Sequence, residues 1–456
     1  MRRLIFSLGL LLGACAPMAP ENVSRAASAA TVAPDVSPPL GSRFGAPQPV
    51  APRAANTAIA RDFLDLAFSL ESGRALPVLT RFEGPVTLRV AKGAPPSLAP
   101  DLARLLRRLR EEAGIDITEV DGSAANITLV PVPRRSIRRE LPQAACFVVP
   151  GVSSWAEFRR AQRAGKTSWT DVRERRTAAV FLPVDAAPQE LRDCLHEEIA
   201  QALGPLNDLY RLGESVFNDD NIHTVLTGYD MLVLRAFYDP ALRSGMDRAE
   251  VAAVLPTLLA RLNPAGETMP DRHLPATSRP WIEAIQTALG SDGSLDLRRA
   301  AAEDALRLAR AEGWRDHRLG FAHFALGRLL SGSDPDAAEA EFRAARRVFA
   351  ALPDARLHEA YAAAQLAALA LRMGRPEDAL ELTLSQEPVA RRHENAALLA
   401  SLMTLRAEAL RATNRGAEAD AVRLDSLGWA RYGFGPDWDG GADLRRIAAL
   451  DPAQGS

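Results

Sequence analysis

The sequence predicts an α+β or α/β sandwich domain with a mixed sheet, followed by an all-α helical domain. In residues 56–250, short strand-like runs alternate with segments of helical periodicity. From residue 279 strand-like runs are absent, and alanine- and leucine-rich helical periodicity continues to residue 440. Residues 251–278 are predicted to be a linker, and residues 441–456 a tail.

The N-terminus has the pattern of an export signal. Arg2 and Arg3 precede an apolar run over residues 4–12, which is shorter than the roughly 20 residues that a spanning helix needs. The run ends in Leu12-Gly13-Ala14-Cys15, which resembles a bacterial lipobox. The resemblance implies a lipoprotein signal peptide over residues 1–15 and a lipid on Cys15. The alternative is an ordinary secretory signal with an incidental cysteine.

Residues 16–55 are rich in alanine, proline and serine, which predicts a flexible stalk. We therefore expect a protein of the bacterial cell envelope, held by its lipid on the periplasmic face of the outer or the inner membrane. No later segment is apolar enough to cross a membrane. The net charge of −2 does not indicate a nucleic-acid partner.

Export changes the interpretation of the two remaining cysteines, Cys146 and Cys194. In an oxidising compartment they are expected to form a disulfide, which would stabilise the fold by roughly 4 kcal/mol on the chain-entropy model. Two free thiols are the less favoured alternative.

The long helix predicted over residues 188–203, which Gly204 ends, leads into the most informative motif. Residues 197–208 read Glu-Glu-Ile-Ala-Gln-Ala-Leu-Gly-Pro-Leu-Asn-Asp, which resembles the metzincin zinc signature H-E-x-x-H-x-x-G-x-x-H-D. On that resemblance Glu198 is the general base, Gly204 the helix-ending glycine and Asp208 the trailing acid. The three zinc histidines are replaced by Glu197, Gln201 and Asn207.

Two downstream segments extend the resemblance, so that it covers roughly residues 75–240. Ser215-Val216-Phe217 resembles the Met-turn of matrixins, with Phe217 in place of the methionine. Residues 226–238, which include Asp230, resemble the closing helix of a matrixin domain.

The replaced ligands change the expected chemistry. Positions 197 and 201 share one helical face, but zinc prefers imidazole or thiolate to a carboxylate and two amides. Without zinc, Glu198 has no polarised water to deprotonate. We therefore expect no cofactor, and a polar network of Glu197, Gln201 and Asn207 that holds the helix and turn together. The alternatives are a hydrolase that uses a harder divalent cation such as calcium, and a coincidental match.

The middle region is also similar to an uncharacterised bacterial family, the domain of unknown function numbered twenty-nine twenty-seven. The matching segments are residues 194–204, Asn207-Asp208-Leu209, residues 215–219, Tyr238-Asp239-Pro240 and Gly245-Met246. This family brings no established activity with it.

A basic stretch lies between the strands predicted over residues 126–130 and 177–184. It contains ten arginines, at positions 134, 135, 138, 139, 159, 160, 163, 173, 175 and 176. They could bind anionic envelope polymers or lipid headgroups. The favoured interpretation is a solvated loop face that is partly paired with Glu140, Glu157 and Glu174.

Helices in residues 279–440 pair with a period of about 35–40 residues, as in a solenoid. The segments around Gly374-Arg375-Pro376 and Asn414-Arg415-Gly416, with Ala379 and Ala419 as packed small residues, resemble tetratricopeptide turns. A plain helical bundle is the alternative. We expect the repeats to bind a protein partner, which predicts a non-catalytic scaffold or adaptor. The alternative function is a divergent metal-dependent peptidase with Glu198 as its base.

Overall fold

The computed structural model describes residues 44–45, 50–122, 124–142, 144–435 and 438. The predicted signal peptide, Cys15, most of the predicted stalk and the tail 441–456 lie outside the described residues. An α+β region comes first, and a helical region follows it.

The first region is built on a five-stranded sheet with the order β2-β1-β3-β5-β4. Strand β4 runs antiparallel to β5, and the other pairs are parallel, so the predicted mixed sheet is confirmed. The interior strand β5 is buried on both faces, which explains its continuous apolar sequence. The strands are β1 (Val86–Val90), β2 (Ile117–Glu119), β3 (Ile127–Val132), β4 (Phe147–Pro150) and β5 (Ala178–Pro183).

Seven helices cover the two faces of this sheet. On one face, α1, α2, α5, α6 and α7 form the main core, and on the other face α3 and α4 cover a smaller core. Alternate residues of β5 divide between the two, Val180 in the main core and Phe181 in the smaller one. The helices are α1 (Asn56–Phe68), α2 (Leu98–Ala113), α3 (Arg134–Glu140), α4 (Trp155–Arg163), α5 (Pro188–Leu203), α6 (Gly228–Phe237) and α7 (Arg248–Leu262).

Helix α7 corrects the predicted linker over residues 251–278. Its side chains Val251, Leu255 and Leu259 are fully buried in the main core, and the helix packs against α1. The first region therefore extends at least to residue 262. A boundary placed by composition missed this helix because its Pro256 and its flanking polar residues resemble linker sequence.

The described part of the second region contains eight helices, each packed against the next. The small residues Ala379 and Ala419 are fully buried, so neighbouring helices approach closely. Gly374 and Asn414 follow α12 and α14 with positive φ angles of 71° and 60°, which reverse the chain. The helices are α8 (Arg279–Leu289), α9 (Leu295–Ala311), α10 (His317–Leu330), α11 (Pro335–Ala350), α12 (Arg356–Arg372), α13 (Pro376–Arg392), α14 (Ala396–Ala412) and α15 (Gly416–Phe434).

The repeat-like helical character predicted for this region is confirmed. Within the described part of the chain, none of the helices combines the length and the apolar character needed to cross a bilayer.

A disulfide joins Cys146 to Cys194, as predicted, with 6.0 Å between the two Cα atoms. Cys146 directly precedes the edge strand β4, and Cys194 lies in α5. The bond therefore attaches the edge of the sheet to the helix that carries the metzincin-like motif.

We predict that the double variant Cys146→Ala/Cys194→Ala loses up to about 4 kcal/mol of unfolding free energy, because the unfolded chain is no longer cross-linked. Urea unfolding followed by circular dichroism measures the loss. Reducing agent should bring the wild type to the level of the variant and leave the variant unchanged. A wild type that does not respond to reducing agent would contradict the prediction.

Candidate functional site

Two contacts fix the position of the C-terminal end of helix α5. A Cβ atom on Gly204 would lie 2.8 Å from the ring of Phe237, so no other residue fits there without displacing the ring. The buried Arg175 guanidinium donates hydrogen bonds to the carbonyl oxygens of Gln201, Ala202 and Gly204. These are terminal acceptors of the helix, which otherwise have no partner.

Arg175 was assigned from the sequence to the basic stretch, but the structure gives it this separate role. Its guanidinium lies over the ring of Trp169, 4.8 Å from the centroid. Burial lowers its pKa to about 10, which leaves the side chain charged at neutral pH. Nothing in the local sequence distinguishes Arg175 from its exposed neighbours.

Among the described residues, the side chains at the predicted zinc-ligand positions do not form hydrogen bonds with one another. Gln201 is fully buried, and neither its amide nitrogen nor its amide oxygen has a hydrogen-bond partner among the described residues. The Asn207 amide donates to the carbonyl oxygen of Asp65 in α1, at 3.0 Å. The predicted polar network of Glu197, Gln201 and Asn207 is therefore wrong, because the turn after Gly204 places Asn207 against α1.

Glu198 lies entirely inside the protein. Its side chain is 0% exposed, and both carboxyl oxygens lack a hydrogen-bond partner among the described residues. Burial, followed by the neighbouring Glu197 and Glu71 carboxyl groups, raises the pKa of Glu198 well above its usual range. The side chain therefore favours the neutral acid.

The neighbouring carboxyl groups of Glu197 and Asp208 also have raised pKa values. Burial is the main cause that raises the pKa of Glu197 and of Asp208 well above their usual ranges, and Glu71 is the next. Within residues 50–435, apart from the two positions left undescribed, no group of three or more histidine, cysteine, aspartate or glutamate side chains is placed to hold a metal ion.

The segment that resembles a Met-turn is tied to α6 by Asp230. One carboxylate oxygen of Asp230 accepts from Ser215 Oγ at 2.5 Å, and the other accepts from the backbone nitrogens of Val216 and Thr227. Asp230 and Thr227 form a capping box at the start of α6. Burial raises the pKa of Asp230 to about 6. Phe217 is fully buried beside this junction.

The N-terminal half of α5 is covered by the helical region. Arg192 donates to the carbonyl oxygen of Glu394 at 2.7 Å, and Gln189 Oε1 accepts from the backbone nitrogen of Ala397 at 2.9 Å. The α5 helix also contacts α15, where Tyr432 donates to Asp101 of α2 at 2.7 Å. The motif helix therefore lies between the sheet and the helical region.

The loop between α5 and α6 makes the other half of this interface. The His317 Nε2 atom donates to the carbonyl oxygen of Tyr210 at 2.7 Å. His358 Nε2 lies 2.8 Å from Asp220 Oδ2, and both side chains are almost completely buried. Because His317 begins α10 and His358 lies in the first turn of α12, the loop docks on the N-terminal ends of these helices.

Four histidines meet at this interface, which the sequence did not reveal. The ring centroids of His223 and His393 are 5.2 Å apart, those of His223 and His358 are 5.8 Å apart, and those of His317 and His358 are 5.5 Å apart. His223 and His393 also line a pocket of about 60 Å³. The four positions span 170 residues of sequence, so no local spacing joins them.

His196, which adjoins the motif, is not part of this histidine cluster. Its Nδ1 atom accepts a hydrogen bond from the backbone nitrogen of Leu226 at 3.2 Å. Burial lowers its pKa well below the usual value, which agrees with an acceptor nitrogen.

The described fold is a five-stranded α+β domain joined to a helical repeat-like region. The family model described as "Protein of unknown function (DUF2927)" matches residues 56–257. The match covers most of the α+β region, and it is the family that the sequence motifs predicted. The search of curated proteins finds no match for the chain.

We predict that acid weakens the interface through its histidines. Burial lowers the pKa of His393 to about 4, so the unfolded state binds more protons than the folded state between roughly pH 6.5 and pH 4. The free energy of unfolding of the protein therefore decreases as the pH falls through that window. His393→Gln should lose less stability over the same window than the wild type, as measured by urea unfolding at a series of pH values.

The control for this comparison is His273→Gln, because His273 is exposed and lies outside the histidine cluster. It should follow the wild-type pH dependence. If His393→Gln follows it as well, the prediction is contradicted.

Proposed function

We propose that this protein is a lipid-anchored scaffold or adaptor of the bacterial cell envelope. In this proposal the α+β domain is a metzincin-like domain without zinc chemistry, and the tetratricopeptide-like helices bind a protein partner. The observation that carries the proposal is the complete burial of Glu198 and Gln201 in α5, a helix that the second region partly covers.

Burial argues against a hydrolytic role because a general base must reach its substrate or water within hydrogen-bonding distance. The Glu198 carboxyl group is fully buried and favours its protonated form. Asn207, at the position equivalent to the third zinc ligand, donates a hydrogen bond to a backbone carbonyl oxygen of α1. These features support a domain in which the motif positions the helix and does not form a catalytic centre.

The interface supports the adaptor role in a specific way. The N-terminal ends of α10 and α12 already contact the loop between α5 and α6, through His317 and His358. The α+β domain therefore covers the N-terminal ends of these two helices. We infer that a partner binds the remaining, outward surfaces of the helices, and that the α+β domain sets their orientation.

The first test measures metal content together with the response to Glu198 variants. We expect no stoichiometric divalent ion, by elemental mass spectrometry, in protein purified without added metal or chelator. Glu198→Gln replaces a neutral acid with a neutral amide of the same shape, so its unfolding free energy should stay within about 1 kcal/mol of the wild type. Glu198→Ala should lose roughly 2–3 kcal/mol because it leaves a cavity.

A different outcome would favour the peptidase alternative. About one equivalent of a divalent ion that is lost in Glu197→Ala or Gln201→Ala would identify a working metal centre. A peptidase activity abolished by Glu198→Gln without loss of stability would assign Glu198 as its base.

The second test concerns the anchor. Cells that express the full chain and are fed a labelled fatty acid should label the wild type and leave Cys15→Ser unlabelled, with the variant released from the membrane fraction. A wild type that incorporates no label would refute the lipid anchor without affecting the scaffold role.

A further inference from the structure

The helices α3 and α4 carry an unusual concentration of positive charge. Residues 134–166 contain eight basic and two acidic side chains, a net charge of +6, in a chain whose total is −2. The rest of the molecule therefore carries −8, and positive charge is concentrated in this one segment.

The fold gathers these charges on one surface. Ile137 of α3 and Phe158 of α4 are fully buried in the same small core on one face of the sheet. The ion pair between Arg159 and Glu140, at 3.2 Å, connects the two helices. The arginines that alternate with the buried positions therefore face outward together.

Most of the negative charge on this surface is already engaged. Glu140 pairs with Arg159, and Glu157 accepts hydrogen bonds from the backbone nitrogen and hydroxyl of Ser153. Arg134 is buried and pairs with Glu190, so it does not contribute to the surface. We define the basic face as the exposed residues Arg135, Arg139, Arg160, Arg163 and Lys166.

Part of the positive charge on the basic face is not paired within the described part of the protein. Arg135, Arg139 and Arg163 form no ion pair with any residue that the structure describes. Trp155, half-buried at the start of α4, packs beside the face against the rings of Phe147 and Phe158. An amphipathic ring next to basic side chains is typical of surfaces that meet a lipid headgroup layer.

We propose that the basic face docks the protein on the anionic headgroups of the membrane to which it is tethered. The proposal rests on the lipid anchor of the proposed function, and charge complementarity identifies the partner. Each basic residue near an anionic bilayer strengthens binding by roughly fivefold. Docking would hold α3 and α4 at the membrane and turn the opposite face of the sheet away from it.

The length of chain before the described region permits this contact. The first described residue, Phe44, packs on Trp429 of α15 with 4.9 Å between ring centroids, and 28 residues lie between it and Cys15. A chain of that length spans at most about 100 Å. A globule of this size has a radius of gyration of about 21 Å. The anchor point therefore does not prevent the basic face from reaching the bilayer.

The test uses flotation with vesicles and the mature chain carrying Cys15→Ser, which has no lipid and retains every described residue. We expect binding to vesicles with roughly 30% phosphatidylglycerol and none to pure phosphatidylcholine, with binding lost as salt screens the charges. The variant Arg135→Gln/Arg139→Gln/Arg160→Gln/Arg163→Gln should bind at least about tenfold more weakly. Replacing the same four arginines by lysine should preserve binding, because the charge is kept.

The matched control removes four exposed arginines elsewhere, three in the last turns of helices and one in the connection between α9 and α10, as Arg310→Gln/Arg315→Gln/Arg347→Gln/Arg431→Gln. It should bind as the wild type does. Equal loss in both glutamine variants would overturn the proposal in favour of a bulk charge effect, and so would equal wild-type binding to neutral vesicles or no binding to anionic ones. Thermal melting verifies that each variant is folded. Because this protein has no lipid, a negative result leaves the fatty-acid labelling of Cys15 unaffected, and the two proposals can fail separately.

Discussion

The enclosure of α5 is the constraint on which the rest of the structure depends. This helix packs against β4, β5 and α2 within its own domain, and against α15 of the helical region. At its C-terminus, Arg175 donates hydrogen bonds to the last carbonyl oxygens of the helix. Near its N-terminus, the Arg192 side chain donates to the carbonyl oxygen of Glu394. The disulfide at Cys194 attaches the same helix to the edge of the sheet. Both regions of the molecule are therefore organised around one helix.

Enclosure also decides the protonation states around the motif. A carboxyl group that loses its water favours the neutral form, and neighbouring carboxyl groups reinforce that preference. Glu198 and Asp208 have raised pKa values for this reason, whereas His223, His317 and His393 of the interface have lowered ones. Burial thus moves both kinds of group toward neutrality. The buried side chains of Asp220 and His358 are paired with each other across the interface, at 2.8 Å.

Patterns with a local physical cause were predicted well. The helix over residues 188–203 matches α5, because Pro188 and Gly204 mark its two ends in the sequence. The disulfide followed from the export signal and the cysteine count. The short elements β2, β4, α3 and α4 were not predicted, since runs of three to nine residues carry little periodicity. The position of α7 in the core was also missed, because burial depends on packing against α1.

The sequence by itself determined the two regions, the mixed sheet, the repeat-like helices and the family that the first region matches. These follow from hydrophobic periodicity and short motifs, which act over a few residues. The tertiary structure alone decided that Asn207 faces α1, that Arg175 closes the end of α5 and that four histidines meet between the regions. Such contacts join residues tens to hundreds of positions apart. They depend on how whole elements pack, and no local pattern in the chain encodes them.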